Sequence, residues 1–207
     1  IKVVHVVPGV KYAVKAQEAG VDAVVCEGFE AGGHNGREET TTFCLIPMVR
    51  REIDLPLLAA GGIATGGGML AALALGADGV QVGSRFAATF ESSAHDHFKQ
   101  AIANAKEGDT MLSMKQLVPV RLLRNKFYNE IKQMEDAAAP LDKIVEHLGR
   151  ARAKKGMLEG DMDEGELESG QISAVIDKIE SAADVVNNLV SEYTALTAAI
   201  KNGAGKW

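Results

Sequence analysis

Three observations predict an α/β fold built on a parallel sheet. Four short apolar runs, residues 3–7, 23–26, 55–60 and 79–82, each end in a glycine-bearing loop. Helix-like segments alternate with them. The turn that joins helix to strand occurs twice, as Ala19-Gly20-Val21-Asp22-Ala23 and as Leu75-Gly76-Ala77-Asp78-Gly79, near copies that mark repeated βα modules. Continuous apolar runs suit strands covered on both faces, and strand–helix–strand units of this length form right-handed crossovers. Four strands cannot close a barrel, and a (β/α)8 barrel takes ~250 residues. The pattern therefore predicts the second half of a TIM barrel in residues 1–110, its last four strands, and a helical C-terminal extension in residues 111–207.

Each element has its own signal. Ile1-Lys2-Val3-Val4-His5-Val6-Val7 runs straight into a strand without a leader, so the polypeptide is expected to begin upstream. His5 alternates within that strand and is expected to face the barrel interior. Residues 11–19 form a helix closed by Gly20 at its C′ position. Residues 45–53 form the next, ending before Pro56, and residues 67–75 a third, closed by Gly76. After Phe86 the character changes. Residues 93–105, 120–136, 141–153 and 172–200 read as helices, with Gly- or Pro-marked breaks between them. Residues 154–170, rich in Gly, Asp and Glu, read as a loop.

Composition narrows the class. At 46% hydrophobic residues the chain can build one sizeable core, and a net charge of −6 argues against a nucleic-acid partner. No apolar segment approaches the ~18–20 residues of a membrane span, and no signal-peptide pattern opens the chain. Cys26 and Cys44 form no CxxC pair; two buried, reduced thiols fit a cytoplasmic enzyme.

Two loops carry chemistry. Glu27-Gly28-Phe29-Glu30-Ala31-Gly32-Gly33-His34-Asn35-Gly36 follows the second strand and sets one histidine among glycines, where backbone and imidazole can both approach a flat ligand. An incidental histidine on a surface turn is the plainer alternative. Glu27, nearer the strand end than Glu30, is the better placed to meet a ligand. Ala59-Ala60-Gly61-Gly62-Ile63-Ala64-Thr65-Gly66-Gly67-Gly68 runs from a strand end into a helix start, the geometry in which free N–H groups bind phosphate. It lacks the Lys-Ser/Thr of a Walker A loop. Gly66-x-Gly68-x-x-Ala71 fits a loose Rossmann pattern, but the next strand ends Gln81-Val82-Gly83-Ser84-Arg85, without the acid that would hold a ribose. Gly83-Ser84-Arg85-Phe86 adds a second glycine loop on the following strand, and paired loops on the last two strands are where phosphate sites of a TIM barrel form. The remaining candidates have plain readings. His95-x-His97 is a solvated helix start, His147 lies on the surface of an amphipathic helix, and Asp161-Met162-Asp163-Glu164-Gly165 has its glycine misplaced for a calcium loop. No metal site is expected.

Together, Glu27-Gly28-x-Glu30-Ala31-Gly32-Gly33-His34-x-Gly36, Ala59-Ala60-Gly61-Gly62-Ile63-Ala64 and Gln81-Val82-Gly83-Ser84-Arg85-Phe86 resemble the nitronate monooxygenase (2-nitropropane dioxygenase) family. That family also contains flavin-dependent enoyl-acyl-carrier-protein reductase II. The match is close over residues 1–125, and the stretches 149–156 and 159–171 resemble the C-terminal helical part of some members. The resemblance implies an FMN-binding (β/α)8 barrel of which these are the last four strands. It implies His34 as the active-site histidine near the reactive edge of the flavin, and Gly61, Gly62, Gly83 and Ser84 as the FMN phosphate loops. Gln81 and Glu27 are implied as weaker flavin contacts; Ser84 stands where many members carry threonine. The implied activity is oxidation of alkyl nitronates with dioxygen, with His34 as general base. The rival is enoyl-thioester reduction with NAD(P)H as co-substrate, and a non-catalytic half-barrel is a third reading. The expected partners are a small-molecule or acyl-thioester substrate and an N-terminal half-barrel from a missing segment, with a homodimer admitted.

Overall fold

A computed structural model describes residues 1–203; residues 204–207, the end of the expected extension, lie outside the description. Four strands, β1 (Val4–Val7), β2 (Ala23–Glu27), β4 (Leu57–Ala60) and β5 (Gly79–Gln81), form a parallel sheet in that spatial order. Its register pairs Val7 with Cys26, Cys26 with Ala59 and Ala59 with Val80. The crossovers are α1 (Val10–Glu18), α2 (Thr42–Arg50) and α3 (Gly66–Ala74). The chain is thus α/β with a parallel sheet, as its apolar runs predict. Val7, Val24, Cys26 and Leu57 on the strands meet Ala13, Leu45, Ile46 and Val49 on α1 and α2 in one apolar core. Gly20 closes α1 at φ 79°, a conformation that admits glycine cheaply. His5, expected to face inward, is exposed on β1, together with Val4 and Val6. Among the described residues, neither β1 nor β5 has a strand on its outer edge.

The second half corrects several expectations. Residues 120–136 are not one helix. β7 (Val120–Leu123) pairs antiparallel with β6 (Thr110–Ser113), and α6 (Lys126–Asp136) starts only after Asn125, whose side chain accepts from the Tyr128 N–H at 2.9 Å. All four residues of β7 are buried, and an N-cap at Asn125 divides strand from helix. The region expected as a helical extension therefore begins with strands. β3 (Gly33–His34) adds to the other edge of β7, so the histidine loop joins this second sheet. α7 (Leu141–Leu148) stops five residues short of the expected end, where Gly149 adopts φ 64°.

Residues 154–170 form more than a loop. Lys154–Leu158 makes a π-helical turn, and an extended strap over 166–170 lies along β7. Of the expected 172–200 helix, the first part is a 3-10 turn (Gln171–Val175), and α8 (Ala182–Lys201) begins at the Ser181 cap. α8 packs on α3 so closely that a Cβ on Gly66 would lie 2.3 Å from the Tyr193 nitrogen. Between the strands, α4 (Ser84–Ala87) follows β5 and α5 (Asp96–Asn104) follows α4. His95 caps α5, its Nδ1 accepting from the His97 N–H, while His147 is half-buried and stacked on Phe127 rather than lying free on the surface. Cys26 is buried as expected, and burial pushes its thiol up to about 11; Cys44 is exposed, because it lies on the side of α2 turned away from Leu45, Ile46 and Val49.

Candidate functional site

A cleft of about 280 Å³ opens at the C-terminal ends of β2, β4 and β5. Glu27, at the end of β2, half-buried, faces it with no opposite charge beside it, and burial pushes its carboxyl above the usual carboxylate range. Gly61 and Gly62 follow β4 at φ 94° and 71°, both left-handed. A Cβ on Gly61 would lie 2.8 Å from the Gly28 oxygen, so glycine is what lets these two strand ends close together. Gln81 ends β5, and Gly83 and Ser84 complete the rim. A Cβ on Gly83 would meet nothing within 4 Å. Among the described residues, the N–H groups of Gly62, Gly83 and Ser84 donate to no protein acceptor. The six residues Glu27, Gly61, Gly62, Gln81, Gly83 and Ser84 therefore share one cleft.

Two nearby features are already committed. Glu30 also touches the cleft, but its carboxylate accepts from the Thr42 N–H at 2.9 Å and the Thr42 hydroxyl at 3.0 Å, and so caps α2. The N-terminus of α3, part of the second glycine motif, is filled by Glu192 of α8, which accepts from the Gly66 N–H at 2.8 Å. Along this cleft, the backbone donors left without a protein acceptor among the described residues belong to the loops after β4 and β5.

His34 lies outside the cleft. It is exposed on β3 and lines a second cavity of about 230 Å³, walled by Met114, Leu117, Val120 and Leu148. Glu166 of the strap is the buried acid of that cavity. Burial, and then the charge of Glu168, push it up to about 7, with Arg152 pulling in the opposite direction. The guanidinium of Arg152 is spent on the Leu148, His147 and Glu164 carbonyl oxygens and on the Glu164 carboxylate. Glu168 lines the cleft instead, its carboxyl raised by burial and lowered by His34. The strap closes the cleft through the Gly170 N–H, which donates to Ser84 Oγ at 2.9 Å.

A family model described as nitronate monooxygenase matches residues 1–192. The chain belongs to the nitronate monooxygenase family. A probable nitronate monooxygenase of Staphylococcus saprophyticus is 33% identical over 202 residues, covering 93% of this chain and 56% of the relative. FabK from Thermotoga maritima overlays with a TM-score of 0.91 at 37% identity, covering 97% of this chain and 63% of FabK. A nitroalkane oxidase from Streptomyces ansochromogenes gives 0.80 at 30% identity, covering 96% and 59%. The chain spans little more than half the length of the curated relatives it matches.

In this nitronate monooxygenase-family chain, sequence reasoning overlooked the strap. Glu166 and Glu168 sit in a stretch read as a loop, and only their i, i+2 spacing around Leu167 hints at an extended segment. Buried acids there had no other mark in the sequence.

Proposed function

We propose that this chain is the FMN-carrying C-terminal half of a (β/α)8 oxidoreductase that oxidises alkyl nitronates with dioxygen. The observation that carries the reading is the convergence of two glycine loops on one cleft, with the N–H groups of Gly62, Gly83 and Ser84 unpaired there. Such groups fit a phosphate dianion, since backbone donors in a nest and at a helix start satisfy phosphate oxygens without a cationic side chain. The raised carboxyl of Glu27 fits too, because a neutral acid does not repel the anion and can donate a hydrogen bond. Gly61, Gly62, Gly83 and Ser84 would hold the phosphate, with Gln81 and Glu27 further along the cofactor. Bound FMN supplies the two-electron redox chemistry. His34 accepts or holds the proton at the substrate carbon, as an imidazole active near neutral pH can. The apolar cavity beside it excludes water from the substrate's carbon chain. We further propose that the open edges of β1 and β5 pair with an N-terminal half-barrel supplied by a further segment.

One observation favours a second reading, enoyl-thioester reduction with NAD(P)H. The cavity at His34 is walled by Met114, Leu117, Val118, Val120 and Leu148, more hydrocarbon than a short nitronate needs. The experiment is a visible spectrum of the purified protein followed by two turnover assays. A yellow protein that consumes oxygen with propyl-2-nitronate supports the first reading. A yellow protein that oxidises NADH only with crotonyl thioester supports the second. A folded protein that stays colourless in excess FMN, also when mixed with the N-terminal half of a relative, overturns both.

A further inference from the structure

The strap places an acid where no glycine motif points. Along one edge of β7, His34 pairs with Val120 and Gly33 with Arg121. β3 stops there, and the strap takes the next position: Glu168 is bridged to Leu122, and the Leu123 N–H donates to the Leu167 oxygen at 2.8 Å. His34 and Glu168 thus stand two places apart along the same edge, the separation that turns side chains to one face. Gly33 lies between them without a side chain. A Cβ there would come within 2.6 Å of Glu168 Oε2, so the carboxylate lies against the backbone of the residue preceding His34. At φ 77° that position also disfavours any residue but glycine.

We infer that Glu168 is the charge partner of His34, a positioning residue that holds the protonated imidazole at the seam between the cleft and the apolar cavity. The inference rests on the reading of His34 as the proton-handling group. The other charged groups around Glu168 do not replace its partner. Glu166, two residues back on the strap, is an acid, and so are Glu27 and Glu30, which line the cleft from the β2 side. Arg152 faces Glu166 and is held by four acceptor contacts of its own. His34 is the group whose charge counteracts the burial of Glu168. When His34 takes one proton from a carbon acid, it becomes a cation opposite a carboxylate; no electron moves in that step.

The test is carboxyl NMR of protein labelled with 13C at the glutamate side chains, titrated with and without His34. The Glu168 signal is identified by its loss in Glu168→Gln. In His34→Gln its titration midpoint rises, while that of Glu27 stays in place. An unmoved Glu168 overturns the proposal. His34 is exposed, so the variant folds, and His34→Asn repeats the measurement with a second side chain. The titration needs no cofactor, so a colourless protein in which Glu168 still moves fails the flavin reading and keeps the pair. In active protein, Glu168→Gln lowers kcat about tenfold with KM nearly constant, and Glu168→Asp recovers most of the loss. Equal losses in both variants, with KM raised, overturn the positioning role.

Discussion

The parallel sheet and the strap reach the same cleft by different routes. The sheet delivers Glu27, Gly61, Gln81 and Gly83 locally, each at or just past the end of its own strand. The strap delivers Glu168 and Gly170 from far away; the Gly170 bond to Ser84 joins residues 86 positions apart. The first route rests on an apolar core of strand and helix faces. The second rests on single hydrogen bonds, glycine clearances and buried acids. A site assembled in this way has a rigid floor and a wall held by few contacts, and substitutions should separate the two.

The largest effect should come at the joint between the two regions. Gly66→Ala places a methyl group against the Tyr193 nitrogen and the Leu189 oxygen, backbone atoms that can give way only if α8 shifts. We expect a loss of about 3 kcal/mol in chemical denaturation. A cost under about 1 kcal/mol would mean that α8 contributes little to holding the fold.

Next is the pH dependence carried by the strap. Burial raises the Glu166 carboxyl from 4.5 to about 7 in the folded state, so the folded chain holds an extra proton between those values. Its contribution to stability is fully present below 4.5 and is lost as pH rises to about 7, after which it is flat. The decline is on the order of 3 kcal/mol, and Glu166→Gln should flatten it. Unfolding midpoints of both proteins from pH 4 to 8 would reveal parallel curves if the strap acid were solvated.

Ser84→Ala removes the acceptor of the buried Gly170 N–H and should cost about 1 kcal/mol, with faster amide exchange confined to residues 166–171. Gly83→Ala should be the mildest for stability, within about 0.5 kcal/mol, because a Cβ there meets nothing and φ is −102°. Gly83 lines the cleft, so on our reading the added methyl group lowers FMN affinity while the unfolding midpoint holds.

The same division separates what was legible in the sequence from what was not. The continuous apolar runs at 23–26, 55–60 and 79–82 mark strands covered on both faces, and the glycines after them mark the turns, so the sheet and the cleft floor were readable from the residues. The strands at 110–113 and 120–123 were not. Val120-Arg121-Leu122-Leu123 has no period-2 alternation, because Arg121 is itself buried, its guanidinium donating to the Phe29 oxygen and stacked on the Phe29 ring. The strap was illegible for a related reason. Its acids look solvent-exposed by type, and the strap is held in place by distant partners, Leu122, Leu123 and Ser84. His34 stands out in the sequence as an isolated histidine among glycines, but its place on β3, beside the cleft and not in it, depends on pairing with Val120.

The carboxylate of Glu192 at the start of α3 can be regarded as a tethered competitor. Held on α8 beside Gly66 and Gly67, it presents its charge to those N–H groups at an effective concentration in the millimolar range or above. A free anion in the surrounding solution must exceed that concentration to displace it. On our reading the polarity of the cleft follows: with Gly66 and Gly67 occupied, the anionic end of a ligand is directed to the loops after β4 and β5 and oriented before any other contact is made.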